Sequence, residues 1–314
     1  MYLHAYSRNI GWVTEKEQLQ LRQKRIAIAG LGGVGGNHLQ TLTRLGIGAF
    51  NIADPDRFEP HNTNRQFGAS HRSYNVSKSA VMMDAVKHIN PELKINCWNE
   101  PITKDNVDEF LQDVDLFIDG IDFFNIDDRR ALFAACAKKG IPAITAGPLG
   151  MGSAMMVFMP GQMTFDQYFQ MQGHPKREQL LRFLIGLAPA RLQARYVTNM
   201  KSVDLEGGSA PSTIMGCQFA SGFAATAALK ILLNRGKVPA APFSIQFDAY
   251  TNRYRKTWRP WGNNNPLQQA ALFVARRLLG FNRTKTQHSD EEIFIQHEQQ
   301  HVQPQAQPQP ATHG

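Results

Sequence analysis

The amino-acid sequence predicts an α/β fold in which a doubly wound, mostly parallel sheet is followed by an extension and a C-terminal helix. In the first 150 residues, short apolar runs rich in β-branched residues alternate with helical patterns. A glycine-rich turn directly follows the first of these runs, at residues 30–35. Repetition of strand, helix and strand predicts a parallel sheet that helices cover on both faces.

Local periodicity and capping residues predict the individual elements. The strands of the first 150 residues are predicted at 25–30, 49–54, 94–98, 115–119 and 142–147. The helices between them are predicted at 33–45, 77–90, 105–112 and 126–139, with Ser77 and Asp105 as capping residues. Later elements are predicted as a strand at 154–159, a helix at 175–187, a long helix near 211–234, strands at 243–250 and 252–258, and a helix at 264–281.

Composition and charge describe an ordinary globular protein with one basic segment. Of the 314 residues, 42% are hydrophobic and 19% are charged, and the formal net charge is +8. Residues 251–285 contain eight Lys or Arg and no acidic residue, whereas residues 286–314 contain four acidic residues and no Lys or Arg. Because the remaining body is only mildly basic, this distribution argues against a nucleic-acid partner and for a local role of the basic segment.

The number of cysteines and the N-terminal residues indicate the cellular compartment in which we expect the protein. Three cysteines, at 97, 136 and 217, are too few for a disulfide framework or a four-cysteine zinc site, so we expect reduced thiols. The first residues lack a basic stretch followed by an apolar run, and no run of 18 apolar residues occurs. We therefore expect neither secretion nor a membrane-spanning helix, and a cytoplasmic protein.

The glycine-rich turn has the pattern of a phosphate-binding loop. Its residues fit G-x-G-x-x-G between a predicted strand and a predicted helix, where backbone N–H groups and the helix dipole hold phosphate. Asp54 ends the second strand, 24 residues after Gly30, where a carboxylate accepts hydrogen bonds from ribose hydroxyls. Both features occur in Rossmann-like nucleotide-binding folds, including nicotinamide dehydrogenases. The glycines of the loop are Gly30, Gly32, Gly33 and Gly35.

A polar cluster after Asp54 helps to distinguish the possible nucleotides. Its members are Asn62, Asn64, Arg65, Gln66 and Lys78. A dehydrogenase has no use for these side chains just past its second strand, whereas adenylyl transfer needs fixed cations and donors that stabilise the departing pyrophosphate. Asp122 lies at the end of the fourth predicted strand, just past residue 119, where a carboxylate could hold Mg²⁺. The cluster favours a triphosphate ligand over NAD.

From about Tyr6 to about Asn234, these motifs resemble those of the ThiF/MoeB adenylyltransferases, relatives of the ubiquitin-activating enzymes. Members bind Mg-ATP, adenylate a carboxylate, usually the C-terminus of a small ubiquitin-like sulfur carrier, and act as homodimers. The resemblance implies that Asp54 binds the ribose, that Asp122 binds magnesium, and that Arg8 reaches the ATP of the other subunit. It assigns the phosphates to Asn62, Arg65, Gln66 and Lys78, and it places Asn64 and the loop glycines in the nucleotide site. The implied catalytic residues are Arg65, Lys78, Asp122 and Arg8.

Two departures limit what the resemblance implies. The chain lacks the pair of Cys-x-x-Cys motifs of many sulfur-carrier activators, so no zinc is expected. Residues 151–216 contain no cysteine for a thioester relay, and Cys217 is interpreted as a buried core thiol rather than a nucleophile. Cys97 and Cys136 are also interpreted as core residues. The chain is therefore expected to adenylate without covalent capture of the substrate.

The substrate is left with several alternatives. A protein or peptide C-terminus is our first choice. The run Asn-Thr-Asn-Arg-Gln at 62–66 is closest to the dehydratases that activate the carboxylate of threonylcarbamoyl-adenosine in tRNA, which are the second alternative. An NAD-dependent oxidoreductase and a nucleotide-binding scaffold without catalysis are further alternatives, although both leave the charged cluster unused.

The resemblance also suggests how the chain is divided. The four predicted parts are an ATP-binding adenylation core at 1–159, a crossover and substrate-side region at 160–260 with a dimer-packing helix at 211–234, a basic amphipathic helix at 261–285, and a disordered tail at 286–314. The segment 264–285 is interpreted as a contact with a membrane surface or a partner, or as a helix that packs on the chain itself.

The region 160–210 is expected to lie over the active site. Its aromatic and apolar side chains either line a channel for an extended C-terminal tail or pack in the core. They are Phe165, Tyr168, Phe169, Phe183 and Leu184. His174, Lys176 and Arg177 are candidates for holding the carboxylate of that tail.

Overall fold

An eight-stranded sheet forms the framework, with five parallel strands followed by three that alternate in direction. The structure is a computed structural model that describes residues 1–199, 202–204 and 207–279. The strands are β1 (Arg25–Ala29), β2 (Ala49–Ala53), β3 (Lys94–Trp98), β4 (Leu116–Asp119), β5 (Ala143–Leu149), β6 (Gly152–Phe158), β7 (Phe243–Asp248) and β8 (Arg253–Trp258). Their order, β3-β2-β1-β4-β5-β6-β7-β8, confirms the predicted doubly wound, mostly parallel sheet.

Helices cover the sheet on both faces. They are α1 (Tyr2–Ala5), α2 (Glu15–Arg22), α3 (Gly33–Leu45), α4 (Lys78–Ile89), α5 (Val107–Phe110), α6 (Ile126–Lys139), α7 (Phe165–Phe169), α8 (Lys176–Leu187), α9 (Ile214–Leu232) and α10 (Pro266–Leu278). Helices α3, α4 and α9 belong to the layer on one face, and α5, α6, α7 and α8 belong to the layer on the other. This arrangement is the helical covering that a parallel sheet requires.

The central strands are apolar on both sides because both faces are covered. Ile26 and Ile28 of β1 belong to the core beneath α3 and α9, whereas Ala27 and Ala29 belong to the core beneath α6 and α8. All four side chains are buried. Alternate residues thus fill two separate hydrophobic cores, which explains why these strands are continuous apolar runs in the sequence.

The chain divides into two units at position 272. The first unit is Met1–Leu272, so the boundary drawn from sequence at 159 falls within a single sheet. The second unit begins at Phe273, within α10. Within this unit, the guanidinium of Arg277 lies 4.2 Å from the ring centre of Phe273. The predicted tail at 286–314 and the end of the predicted basic segment at 280–285 lie outside the described residues.

Element bounds agree with the prediction where glycine or capping signals are strong. Helices α3 and α6 and strand β3 have the predicted bounds. The predicted helix at 105–112 shortens to α5, and Asn106 rather than Asp105 precedes it. The side-chain oxygen of Asn106 accepts a hydrogen bond from Thr103 N at 2.8 Å and stabilises the turn before the helix instead.

Helix α9 is the longest of the described helices, and it is strongly apolar. Its 19 residues and an 18-residue window of mean hydropathy 1.2 make it a candidate membrane span by length and composition only, a test that the core helix of a soluble protein also passes. It packs against α3, β5 and β6, and its buried small residues, such as Ala220 and Ala224, belong to the core. These contacts are those of a core helix in a globular domain.

A buried histidine lies between α3 and α9. His38 is 1% exposed, its Nδ1 lies 3.1 Å from the hydroxyl oxygen of Ser221, and its Nε2 has no hydrogen-bond partner within the described ranges. Burial lowers the pKa of His38 to about 3, because the charged imidazolium would be desolvated in this core. The side chain is therefore neutral in the folded protein across the physiological range.

We expect His38 to make the folded state less stable as the pH falls. Its pKa in the unfolded chain is about 6.5, so below that pH the unfolded state takes up a proton that the folded state refuses. Between pH 7 and pH 5 the free energy of unfolding should fall by about 2 kcal/mol from this group alone. Urea unfolding of wild type and His38→Gln at both pH values measures the difference, and the exposed His88→Gln is the matched control. Parallel pH dependences of wild type and His38→Gln would contradict the expectation.

Candidate nucleotide-binding site

The reversal of strand order opens a crevice between β1 and β4. The chain leaves β1 toward β2 and β3, then crosses to β4 and β5 on the other side. Connections therefore diverge at the carboxyl ends of β1 and β4, which is where doubly wound sheets bind ligands. Gly30 follows β1 and Gly120 follows β4, so the glycine loop lies at this point.

Three glycines bring the backbone segments at the crevice into direct contact. A Cβ on Gly35 or on Gly120 would collide with the carbonyl oxygen of Gly30, and a Cβ on Gly30 would collide with the carbonyl of Gly120. Gly30 also has φ of +84°, a conformation that favours glycine. The sequence pattern did not single out Gly120, although a glycine directly after an apolar strand was a visible signal.

The first turn of α3 offers backbone donors at this crevice. The helix begins at Gly33, and its N-cap, Gly32, has no side chain to accept hydrogen bonds from the first N–H groups. A Cβ on Gly32 would lie 3.5 Å from Nε2 of Gln66, and a Cβ on Gly33 would lie 3.5 Å from Cγ of Arg65. Free N–H groups, the positive end of the helix dipole and Arg65 together form an environment that suits phosphate.

Asp54 links the end of β2 to the glycine loop. Its carboxylate is buried, with Oδ2 accepting from Leu31 N at 2.6 Å and Oδ1 accepting from Asp56 N at 2.9 Å. Burial raises the pKa of Asp54, while the hydrogen bond from Leu31 N and the charge of Lys78 oppose this shift. Each oxygen retains capacity to accept a further hydrogen bond, and the predicted contact with a ribose hydroxyl stays a prediction.

Lys78 is the first residue of α4, and its ammonium is buried. Only 8% of its side chain is exposed, and Nζ donates to Oδ2 of Asp56 at 2.9 Å. The backbone N–H of Lys78 also donates to the carbonyl of Asp56 at 2.9 Å. The sequence pattern predicted Lys78 as a phosphate ligand but overlooked Asp56, although Asp-Pro-Asp at 54–56 was a possible signal.

The polar cluster at 62–66 is held in place by its own hydrogen bonds. Nη1 of Arg65 donates to the carbonyl of His61 at 3.0 Å and to Oδ1 of Asn64 at 2.9 Å. Nδ2 of Asn64 in turn donates to the carbonyl of Ser212 at 2.9 Å, just before α9. The segment that precedes α9 is therefore attached to the polar cluster at 62–66.

Two further members of the cluster are buried. Oδ1 of Asn62 accepts from Glu59 N at 3.0 Å, so this side chain caps the turn at 60–62, and its predicted phosphate contact stays a prediction. Gln66 is 7% exposed, and its Oε1 has no hydrogen-bond partner in the part of the chain that the structure describes. An unpaired buried amide beside the glycine loop is suited to a ligand that supplies the missing partner.

Asp119 ends β4 and Asp122 lies three residues later, but the two side chains have different surroundings. Asp119 is buried, and its Oδ2 accepts from Arg129 Nε at 2.7 Å and from the Thr145 hydroxyl at 2.8 Å. Asp122 is exposed, and its carboxylate makes no hydrogen bond or ion pair within residues 1–199, 202–204 and 207–279. Asp119 is therefore committed to the fold, while Asp122 is free to bind a ligand.

A divalent cation here would need oxygen atoms from a ligand. The described residues contain no group of three or more His, Cys, Asp or Glu side chains that could hold a metal ion. Magnesium commonly binds through one or two carboxylates together with substrate phosphates, so a single available carboxylate at Asp122 fits Mg²⁺ bound with a triphosphate.

Arg8 lies in the N-terminal segment, in a short 3₁₀ turn at Ser7–Asn9. Its side chain is exposed and has no hydrogen bond or ion pair among the described residues. The neighbouring Tyr6 is anchored by its hydroxyl, which donates to the carbonyl of Thr43 at 3.0 Å on α3. Because its predicted role concerns a second subunit, the trans contact of Arg8 stays a prediction.

Cys217 is buried, as its sequence context indicates, but it also borders the glycine loop. Its side chain is 0% exposed, and a Cβ on Gly33 would lie 3.1 Å from its Sγ. Burial raises the pKa of the Cys217 thiol, although the hydroxyl of Ser212 and the charge of Arg65 oppose the shift. Burial likewise raises the pKa of Cys97 and of Cys136. None of the three thiols is thus poised as a thiolate nucleophile.

The crossover aromatics pack in the core, which is the second of the two alternatives that the sequence left open. Phe165, Tyr168, Phe169 and Phe183 are at most 3% exposed and pack on one another in the core beneath α6 and α8. Leu184 is half-buried on the same helix as Phe183. These side chains fill the space between helices because α7 and α8 pack directly on each other, a contact that periodicity alone does not reveal.

Tyr196 attaches the crossover segment to the sheet. Its hydroxyl donates to Oδ2 of Asp248 at 2.5 Å and accepts from Met151 N at 2.7 Å. Burial, together with Asp248, raises the pKa of Tyr196 to about 12, so the phenol stays protonated and can donate. The sequence pattern offered no sign of this contact, because its partners are separated by about fifty residues.

Similarity to known proteins extends over most of the chain. The model of the ThiF family matches residues 6–270. The chain belongs to the ThiF family. Among curated ThiF relatives, the tRNA threonylcarbamoyladenosine dehydratase of Escherichia coli K12 is 34% identical over 137 residues, which are 43% of this chain and 50% of that protein. Ubiquitin-like modifier-activating enzyme 5 of Drosophila erecta is 29% identical over 237 residues, which are 71% of this chain and 53% of that protein.

Solved structures show the same fold. Crystal structures of E. coli MccB with ATP and with MccA-N7isoASN have TM-scores of 0.60 and 0.61. Both are 17% identical to this chain and cover 81% of it and 71% of the MccB chain. The chain spans about half the length of the curated relatives it matches.

Proposed function

We propose that the chain is an ATP-dependent adenylyltransferase that activates a carboxylate as its acyl-adenylate and releases pyrophosphate. The supporting observation is the convergence of the uncapped start of α3, Asp54, Arg65 and Lys78 at the crevice between β1 and β4. A nicotinamide dehydrogenase would use the glycine loop and Asp54 but would leave two cations beside them without a purpose. Adenylyl transfer uses all four features.

In the proposed reaction, the phosphates of ATP lie against the first turn of α3, and Asp54 accepts from the ribose hydroxyls. An oxygen of the substrate carboxylate attacks the α-phosphorus, and the bond between that phosphorus and the bridging oxygen to the β-phosphate breaks. The electron pair of the broken bond leaves with the pyrophosphate. Since a carboxylate is ionised near neutral pH, the attack needs no general base.

Fixed positive charge is what this chain contributes to that step. Arg65 and Lys78 would oppose the charge that develops on the departing pyrophosphate. Arg65 is held by its own hydrogen bonds to His61 and Asn64, and Lys78 is positioned at the site by Asp56. Mg²⁺ bound by Asp122 and the phosphates would neutralise further charge on the triphosphate. In a homodimer, Arg8 of each subunit would add a cation to the site of the other.

For the substrate, we propose the C-terminal carboxylate of a peptide or of a small ubiquitin-like protein. The support is the 29% identity over 237 residues to an enzyme whose name describes activation of a ubiquitin-like modifier. The adenylate would pass to its acceptor without a cysteine thioester. The burial of Cys217 and Cys136 supports this, because an acyl transfer to sulfur needs an accessible thiolate.

A dehydratase acting on threonylcarbamoyl-adenosine in tRNA is the second candidate. The identity of 34% to the E. coli enzyme favours it, although the match spans 137 residues. Both candidates share the first chemical step, which is attack of a carboxylate on ATP. They differ in the molecule that carries the carboxylate.

ATP-dependent pyrophosphate exchange tests the proposal. We expect the protein to bind Mg-ATP and not NAD in calorimetric titration, and to incorporate labelled pyrophosphate into ATP only when the right carboxylate is present. Pools of peptides with free C-termini, the same peptides amidated, and tRNA bearing threonylcarbamoyl-adenosine are the substrates to compare. Exchange with free but not amidated peptides supports the first candidate, and exchange with tRNA alone supports the second. Tight binding of NAD without binding of ATP would rule out both.

A further inference from the structure

The ammonium of Lys78 has a single carboxylate partner among the described residues, and that partner is Asp56. The two side chains meet at 2.9 Å, with 8% of the Lys78 side chain and 62% of the Asp56 side chain exposed. A buried cation needs a counter-charge, since its desolvation is otherwise uncompensated. Asp56 supplies this charge from the rim of the site.

The backbone holds this pair in register with the nucleotide site. Lys78 N donates to the carbonyl of Asp56, and Asp56 N donates to the Oδ1 of Asp54, each at 2.9 Å. Asp56 therefore stands between the predicted ribose ligand and the predicted phosphate ligand. Its carboxylate is directed to the same ammonium that a phosphate of ATP would contact.

We propose that Asp56 is a displaceable counter-ion, which holds Lys78 in the nucleotide-free protein and competes with a phosphate of ATP for the same ammonium. The inference rests on the proposed function, because it requires a phosphate ligand at Lys78. Asp56 can yield the ammonium at little cost, since its exposed carboxylate is already largely solvated. The residue thus stabilises the protein without nucleotide and weakens its affinity for ATP.

The expected signature is a gain of ATP affinity on removing an acidic residue from the site. Asp56→Asn should bind ATP about 5-fold more tightly, the ratio that corresponds to a largely exposed ion pair. The affinity of Asp56→Asn for adenosine, which has no phosphate, should differ from that of wild type by less than about 2-fold. Without nucleotide, Asp56→Asn should melt at a lower temperature than Asp105→Asn, an exposed control that removes the same charge elsewhere.

Titrations of ATP and adenosine, each with Mg²⁺ and with EDTA, separate this role from others. A loss of ATP affinity confined to Mg²⁺ would make Asp56 a metal ligand, and a loss in both media would make it a positioning residue; either result overturns the proposal. Unchanged ATP affinity also overturns it. Asp56→Glu, which keeps the charge, should stay near wild type.

A double-mutant cycle tests whether Asp56 acts through Lys78. In a Lys78→Met background, Asp56→Asn should no longer change ATP affinity, because the ammonium for which they compete is gone. The double variant leaves no unpaired buried charge, so it remains informative if Asp56→Asn alone does not fold. An equal gain in both backgrounds refutes the competition. If wild type binds no ATP at all, the proposed function fails first, which is a different outcome from ATP binding without competition.

Discussion

Replacing Lys78 with methionine is expected to slow pyrophosphate exchange by about 100-fold or more, the scale on which a fixed charge stabilises a transition state. Methionine keeps most of the apolar stem that α4 buries and removes only the ammonium. The exposed carboxylate of Asp56 loses its partner but remains solvated, so the fold should survive. The loss should therefore appear in the rate of exchange rather than in the melting temperature.

Lys87→Met is the matched control for this variant. Lys87 lies on the same helix, α4, but on its exposed side, and its replacement removes the same charge and the same atoms. Exchange by Lys87→Met should remain within about 2-fold of wild type, as is usual for an exposed position away from a site. If both variants lose activity equally, or if Lys78→Met keeps full activity, Lys78 is not a phosphate ligand.

Local signals in the sequence were sufficient for most elements of the sheet. Strand β3 and helices α3 and α6 have the predicted bounds, because an apolar run or a helical period there ends at glycine or another turn residue. Helix α2 was missed although Thr14 and Glu17 form a capping box, in which Glu17 N donates to the Thr14 hydroxyl at 3.2 Å. Its sequence is mostly polar, so periodicity gave no apolar face to recognise.

Several of the predicted site residues lie at one edge of the sheet for a reason that sequence can express. Gly30, Asp54 and Asp122 each follow a parallel strand, and carboxyl ends of parallel strands meet at one edge of the sheet. Contacts made by distant segments could not be predicted in this way. Cys217 reaches Gly33 because α9 packs on α3, and neither the pairing of these helices nor their rotation is encoded in a local motif.

The same limit explains why the sequence left two alternatives, a channel or core packing, for the crossover aromatics. Phe165 and Phe183 are eighteen residues apart, and their ring centres lie 5.9 Å apart because α7 and α8 pack together over α6. An aromatic-rich helix has the same sequence pattern whether it lines a channel or fills a core. Only the position of the neighbouring helix decides between the two, and that position depends on the whole fold.

Gly35→Ala is expected to destabilise the protein by about 3 kcal/mol, at the upper end of what overpacking usually costs. Its backbone φ is not in the left-handed region, so the effect comes from collision rather than from strain. The new Cβ would meet the carbonyl oxygen of Gly30 and lie 3.3 Å from Cα of Gly120, and both are backbone atoms that cannot rotate away. Relief requires that α3 move away from the ends of β1 and β4, so affinity for ATP should fall as well.

Gly222→Ala is the matched control for Gly35→Ala: it makes the same glycine-to-alanine change, but it is expected to stabilise the protein. Gly222 lies within α9 and is exposed, and an added Cβ would meet no described atom within 4 Å apart from its chain neighbours and the backbone of the helix itself. Alanine there should stabilise the protein by about 0.5–1 kcal/mol through helix propensity, and ATP affinity should not change. Urea unfolding of both variants measures the two effects in one experiment. A Gly35→Ala protein as stable as wild type would show that the three backbone segments are not locked together at the crevice, and the proposed phosphate site would lose its rigid base.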